Sequence, residues 1–314
     1  MEGWREPAVQ QWCVGNLGAA PVRCLFETGH LSRVIGLELA DLRRVVVKIR
    51  PNAPRLAACA AVQRYLHGGG FPCPEPLAGP SSWPDGDDLA ASAEAFVPGG
   101  RRLRRDEPDA VVRYVRLFRR LIVGAENDDA LDLEPALPWV GWGHGGNGIW
   151  PVPDEGSSLE ASPGPAWLDD LAMRVRERMA DAPAARLPAI VGHADFMAQN
   201  IRWDEKGTPL VVDDWDSVAR LPEAALAGAA AVAWPGDGSP TASTVDETRA
   251  FLDAYERLRG EPFTDVEHEV AWAAGLWMFA FDAKKHLVAN DGVTWLLEKL
   301  QAELDVRSAN AGLG

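Results

Sequence analysis

The chain has 314 residues, 47% of them hydrophobic, enough for one large two-lobed domain or two smaller ones. Its formal net charge of −15 argues against a nucleic-acid or anionic-membrane surface, since both need clustered cations, and is compatible with an acidic cleft for a cationic substrate or simply with a charge-solubilised surface. No run of about 18 apolar residues suggests a membrane span, MEGWREPAVQQW lacks the basic start and apolar stretch of a signal peptide, and Cys13, Cys24, Cys59 and Cys73 form no C-x-x-C pair, which disfavours zinc or redox motifs and suits reduced thiols in the cytoplasm.

Residues 1–20 read as a helix leading into a Gly/Ala/Pro turn. CLFETGHLSRVIGLELA and LRRVVVKIRP follow as strand, turn, strand, turn, strand. In the first turn, Thr28–Ser32, Gly29 allows the backbone to approach a phosphate, and Ser32 and nearby amides can donate hydrogen bonds to it. Most such glycine turns are only turns; this one gains interest from its place ahead of Lys48, the only lysine in the first 200 residues. Lys48 ends the run Val45-Val46-Val47. It is either a point charge for α- and β-phosphates or a strand-edge cation that discourages aggregation. PRLAACAAVQRYLH (54–67) reads as a helix stopped by Gly68–Gly70, and FPCPEP as an extended linker. ASAEAFVPGG (91–100) reads as a strand followed by a hinge at Pro98–Gly100.

Arg101–Arg105 is expected as a solvated loop and Asp109–Val123 as an amphipathic helix. Residues 126–165 are irregular, with Trp139, Trp142 and Trp150 among glycines and prolines. Their ring faces can stack on a sugar or heterocycle or attract an ammonium, or they bury the loop against the second lobe. Residues 166–181 form an amphipathic helix, and Pro188–Val191 leads into His193. Further helices are expected at 222–234, 244–259, 266–289 and 292–305, the third of these buried by Trp272, Trp277, Met278, Phe279 and Phe281. Asp265, Glu267, Glu269 and Asp282 are candidates to line a substrate cleft, Glu269 and Asp282 foremost; the plain alternative is that they are solvated.

The chemistry concentrates in VGHADFMAQNIRW and PLVVDDWDSVAR. Asn200 follows Asp195 by five residues, and the apolar strand Leu210–Val212 ends in Asp213, Asp214 and Asp216. Acidic groups at the end of a buried strand are costly without a cation, and Mg²⁺ takes such oxygen ligands. Asp195 suits the acceptance of a hydroxyl proton, and Asn200 and Asp214 suit a metal on nucleotide phosphates. Neighbouring residues on a strand point oppositely, so only one of Asp213 and Asp214 can face the site.

H-x-D-x-x-x-x-N in HADFMAQN, followed by DWD, resembles the aminoglycoside phosphotransferase family of the protein-kinase-like superfamily, with Ala194 where that family usually has glycine. The resemblance implies an α+β bilobal protein-kinase-like fold: a small antiparallel sheet with one helix in residues 1–98, and a mostly helical catalytic and substrate-binding lobe in 99–314. It implies Asp195 and His193 as catalytic residues, and Gly29, Ser32, Lys48, Glu94, Ala95, Phe96 and Val97 around ATP or GTP. Asn200 and Asp214 would hold Mg²⁺, with Trp215 at the family's aromatic position, and Trp142, Glu269 and Asp282 would meet a hydroxylated small-molecule acceptor, such as an antibiotic. The family's helix carries a glutamate that pairs with the strand lysine; here residues 54–67 hold no acid, and Gln63 is the nearest polar group. That gap supports an alternative, a nucleotide-binding pseudokinase regulator; a kinase of choline or homoserine is a further one. Neither nucleic acid nor membrane is implied as a partner.

Overall fold

Alternating apolar residues build an antiparallel sheet from β1 (Pro21–Gly29), β2 (Arg33–Leu39), β3 (Arg44–Pro51), β4 (Pro76–Trp83) and β5 (Gly86–Ala95), in the order β1-β2-β3-β5-β4. The computed structural model describes residues 3–29, 32–125, 130–153, 158–161, 164–237 and 239–314; His30 and Leu31 of the expected glycine turn, and parts of the irregular stretch 126–165, lie outside them. Ile35, Leu37, Leu39, Val45, Val47 and Ile49 fill one face of the sheet with Val9, Trp12 and Cys13 of the leading helix α1 (Pro7–Leu17). Strand side chains alternate. The opposite face therefore carries a row set by register, Phe26, Gly36, Val46 and Glu94, with Lys48 and Arg50 further along β3.

Sequence reading expects only an extended linker after Gly70, yet β4 begins at Pro76. Its prolines, Pro76 and Pro80, hide it, because proline is tolerated mainly on edge strands, and β4 is an edge. Helix α2 (Arg55–Gly68) lies between the sheet and the rest of the chain. Its Cys59, Val62 and Leu66 pack into the larger, C-terminal core together with Phe71 and Cys73. The two cores thus do not part at one chain position.

Among the described residues, six α-helices form the second lobe: α3 (Ala110–Gly124), α4 (Ala166–Ala180), α5 (Glu223–Ala233), α6 (Val245–Arg259), α7 (Asp265–Ala289) and α8 (Trp295–Asn310). Thr244 and Thr264 start α6 and α7 with capping boxes closed by Glu247 and Glu267. Two ribbons carry the chemistry-bearing segment. β6 (Ala189–His193) pairs with β9 (Val218–Pro222), and β7 (Ile201–Trp203) with β8 (Pro209–Val212). The partnership of His193 with Val218 draws the segment after His193 against the one before Val218.

The alanine-rich α5 crosses α7 at Gly228, where an added Cβ would overlap the Ala271 carbonyl. Gly228→Ala is expected to destabilise the fold by about 1–3 kcal/mol or more, as overpacking does. Thermal unfolding checks this: the variant should melt several degrees lower, and an unchanged melting temperature would refute so close a crossing.

Candidate active site

The segment after β6 folds on itself through His193. This side chain is buried, accepts the Asp195 N–H at Nδ1 (3.2 Å) and, at Nε2, lies 3.2 Å from the Asp213 carbonyl oxygen. Burial lowers its pKa and keeps it neutral. With Nδ1 accepting, the proton sits on Nε2 and is donated to Asp213. Both ring nitrogens therefore tie the two halves of the site together. His193 was expected among the catalytic residues; both of its ring nitrogens are engaged within the protein, which gives it a positioning place in the site.

Asp195 is half-buried, and its carboxylate accepts from Asn200 Nδ2 at 2.7 Å; the same nitrogen donates to the Asp195 carbonyl at 2.9 Å. That orientation leaves Asn200 Oδ1 as an acceptor or metal donor. Withheld solvent, with the nearby charge of Asp214, pushes the Asp195 carboxyl up to about 7, against the Asn200 hydrogen bond. Asp214 sits in the left-handed region at φ 65° and ψ 52°, a conformation that aspartate tolerates, and accepts from Ser217 Oγ at 3.2 Å. Asp213 instead meets Arg202 (3.3 Å), whose Nη1 donates to the carbonyls of Val97 and Gly99 at 2.7 Å. The two aspartates thus divide: the Asp214 charge acts on Asp195, and Asp213 meets Arg202 at the hinge.

Lys48 reaches into the same region. Its Nζ lies 3.0 Å from Glu94 Oε1, both side chains being nearly buried. Burial alone lowers the Lys48 pKa, but Glu94, Asp216 and Asp214 outweigh it and hold the ammonium above its ordinary value. Arg50, two residues along the same face, pairs with Asp216 at 2.8 Å. Glu94 was expected around the nucleotide; its backbone lies in the β3–β5 ladder, and its side chain meets Lys48.

Among the other hinge candidates, the Ala95 N–H donates to the Glu75 carbonyl at 2.9 Å and the Phe96 N–H to the Arg44 carbonyl at 3.0 Å. Among the described residues, no backbone acceptor stands against the Val97 N–H. Phe26 lies over Gly36 and packs against Phe96 with ring centroids 5.9 Å apart, giving the cleft face of the sheet an apolar platform. A Cβ on Gly29 would overlap the Ser32 carbonyl, so the closure between β1 and β2 requires glycine there.

Charges on α7 also bear on Asp195. Asp282 and Lys285 lie close enough to act on the Asp195 charge, the first raising its pKa and the second lowering it. Glu269 does not join them. It is bound by Arg178 of α4 and stands roughly 20 Å from Asp282 along the helix axis, at a rise of about 1.5 Å per residue. Trp142 is half-buried against the large core, whereas Trp139, named with it among the loop tryptophans, donates its Nε1–H to the Ala194 carbonyl at 3.1 Å. Trp150 is buried, donating to Asp169 at 2.7 Å. Arg50 was also missed, although its two-residue spacing from Lys48 on a strand was a usable signal.

Asn200 Oδ1 and the Asp214 carboxylate are a fitting donor pair for Mg²⁺, which binds through one or two protein oxygens and completes its shell with phosphates and water. No group of three His, Cys, Asp or Glu side chains that could form an all-protein cage occurs among the described residues.

A sequence model of the phosphotransferase enzyme family matches residues 24–263, a span holding every site residue above except those of α7. No curated protein sequence matches. Among solved structures, a thermostable mutant of aminoglycoside phosphotransferase APH(4)-Ia, in ternary complex with AMP-PNP and hygromycin B, superposes with a TM-score of 0.57 at 15% identity, covering 94% of this chain and 97% of that one. Spectinomycin phosphotransferase APH(9)-Ia, in complex with ADP and spectinomycin, gives 0.55 at 10% identity, with 93% and 92% covered. Plasmodium vivax ethanolamine kinase gives 0.60 at 10% identity, with 92% and 83% covered. At these identities the likeness establishes the bilobal kinase-like fold.

Proposed function

The chain belongs to the phosphotransferase enzyme family, and from that premise we propose that it transfers the γ-phosphoryl group of ATP to a hydroxyl of a small cationic molecule, an aminoglycoside-like antibiotic foremost. The observation that carries this is the gathering of Asp195, Asn200 and Asp214 within one hydrogen-bonded and electrostatically linked group, with Lys48 coupled to the same Asp214.

The Val97 N–H and the Phe26–Phe96 platform take the base, and Lys48 sets its charge against the α- and β-phosphates. Asn200 and Asp214 would hold Mg²⁺, which when bound supplies neutralising charge to the phosphates. Asp195 accepts the proton of the acceptor hydroxyl as its oxygen bonds to the γ-phosphorus; the bond from that phosphorus to the bridging oxygen breaks, and ADP leaves. Positioning and fixed charge supply nearly all of the acceleration. A pure nucleotide-binding regulator has no use for a proton acceptor held this way. No described helix is long and apolar enough to cross a membrane, and ATP-dependent transfer suits the cytoplasm.

The charge of Asp282, felt at Asp195 more strongly than the opposing charge of Lys285, supports a cationic acceptor. ADP release measured against aminoglycosides, amino alcohols and neutral polyols should rise only with the cationic alcohols; equal stimulation by neutral ones would refute the charge assignment. Asp282→Ala is expected to raise the acceptor KM about 10- to 100-fold, the worth of one charged hydrogen bond, with nucleotide affinity unchanged. An unchanged acceptor KM would remove Asp282 from the acceptor site.

A further inference from the structure

We propose that Glu94, on the strand beside Lys48, is the carboxylate that positions this lysine for the nucleotide, so that strand register, and not the placement of α2, sets the lysine's position. This rests on the phosphoryl transfer proposed above. In protein kinases the strand lysine pairs with a glutamate on the neighbouring helix, and helix position controls the pair. Here α2 presents the neutral Gln63 instead. In the β3–β5 ladder Val46 faces Glu94 and Lys48 faces Ser92, which makes Lys48 and Glu94 diagonal neighbours on one sheet face. Their ion pair at 3.0 Å is thus built into backbone pairing.

Gln63 keeps a subsidiary part. Its Nε2 donates to Glu94 Oε2 and to the Pro74 carbonyl, each at 3.0 Å, so the helix steadies the carboxylate without carrying the charge. The other acids near Lys48 have partners of their own: Asp216 pairs with Arg50, and Asp214 accepts from Ser217. Helix α2 is held by a different device. Buried Arg55 donates to the carbonyls of Asp216 (2.7 Å), Leu133 (3.4 Å) and Val218, fastening the helix to the segment after Asp214. Lysine positioning and helix anchoring, one function in a helix-borne pair, are separated in this chain.

The test uses the full chain and reads Mg·ADP affinity by calorimetry together with kcat and KM for ATP. Glu94→Gln should weaken Mg·ADP binding and raise the ATP KM by about 10- to 100-fold, the loss of one charged contact, and kcat should fall with it. In a Lys48→Ala background the same change should add little, because the two residues act as a pair. The double variant Gln63→Glu with Glu94→Gln returns the charge from α2 and should recover most of the lost affinity, which a merely structural role for Glu94 would not give. Circular dichroism confirms folding; if Glu94→Gln does not fold, Glu94→Asp, which keeps the charge but shortens its reach, carries the comparison and should lie between wild type and loss. Wild-type affinity and turnover in a folded Glu94 variant, or an undiminished extra loss in the Lys48→Ala background, would overturn the assignment. A wild-type chain that binds no Mg·ADP would instead overturn the phosphotransferase proposal itself.

Discussion

Asp195→Ala is expected to bind Mg·ADP as the wild type does while its turnover falls by ~10²–10⁴-fold, the range for losing a positioned general base. The separation follows from the geometry. Asp195 touches Asn200 and senses Asp214, the expected metal donors, and senses Asp282, proposed for the acceptor. The proposed holders of the nucleotide are Lys48 and the hinge, neither of which contacts the Asp195 carboxylate. Near-normal phosphorylation by the variant would remove Asp195 as proton acceptor. Asp195→Asn is the sharper control, since it preserves volume and the contact with Asn200 while removing basicity.

The second large effect is expected at Asp214. Asp214→Ala should raise the Kd of the magnesium–nucleotide complex by at least about 10²-fold, since the carboxylate proposed to hold the metal, whose charge also acts on Lys48, is lost in a site partly closed to solvent. Calorimetric titration with ADP, with and without Mg²⁺, reads it. Wild-type binding should depend strongly on the metal, and the variant should bind weakly and with little metal dependence. Unchanged affinity in Asp214→Ala would assign the metal elsewhere, with Asp213 the nearest candidate. Asp213→Ala therefore serves as contrast: its carboxylate meets Arg202, which holds the hinge carbonyls, so its loss should disturb the hinge and leave the metal dependence intact.

Much of the site was legible because its signals are local. The spacing from Asp195 to Asn200 brings an amide back onto a carboxylate within one short turn, and a strand ending in acids announces a cation. The family resemblance supplied the lobes. What stayed hidden is long-range. Glu94 looked like a hinge residue because nothing in its neighbourhood shows that β5 lies beside β3; only the ladder places it diagonal to Lys48. Gln63 seemed a missing charge because its partner is remote in the chain. His193 carries the chemistry-bearing residue type yet serves as a tie, which only its two hydrogen-bond partners reveal. Glu269 and Asp282 share a helix, but one is captured by Arg178 of α4, a contact that sequence periodicity does not encode.

The most direct test of convergence between carboxylates, lysine and acceptor is the product itself. Wild-type protein incubated with Mg·ATP and a panel of hydroxylated cations, followed by mass spectrometry, should yield one acceptor carrying a single added phosphoryl group and an equal amount of ADP, with both absent when Asp195→Ala is used. Nucleotide binding without any modified acceptor across a broad panel, or equal product from the Asp195 variant, would contradict the account.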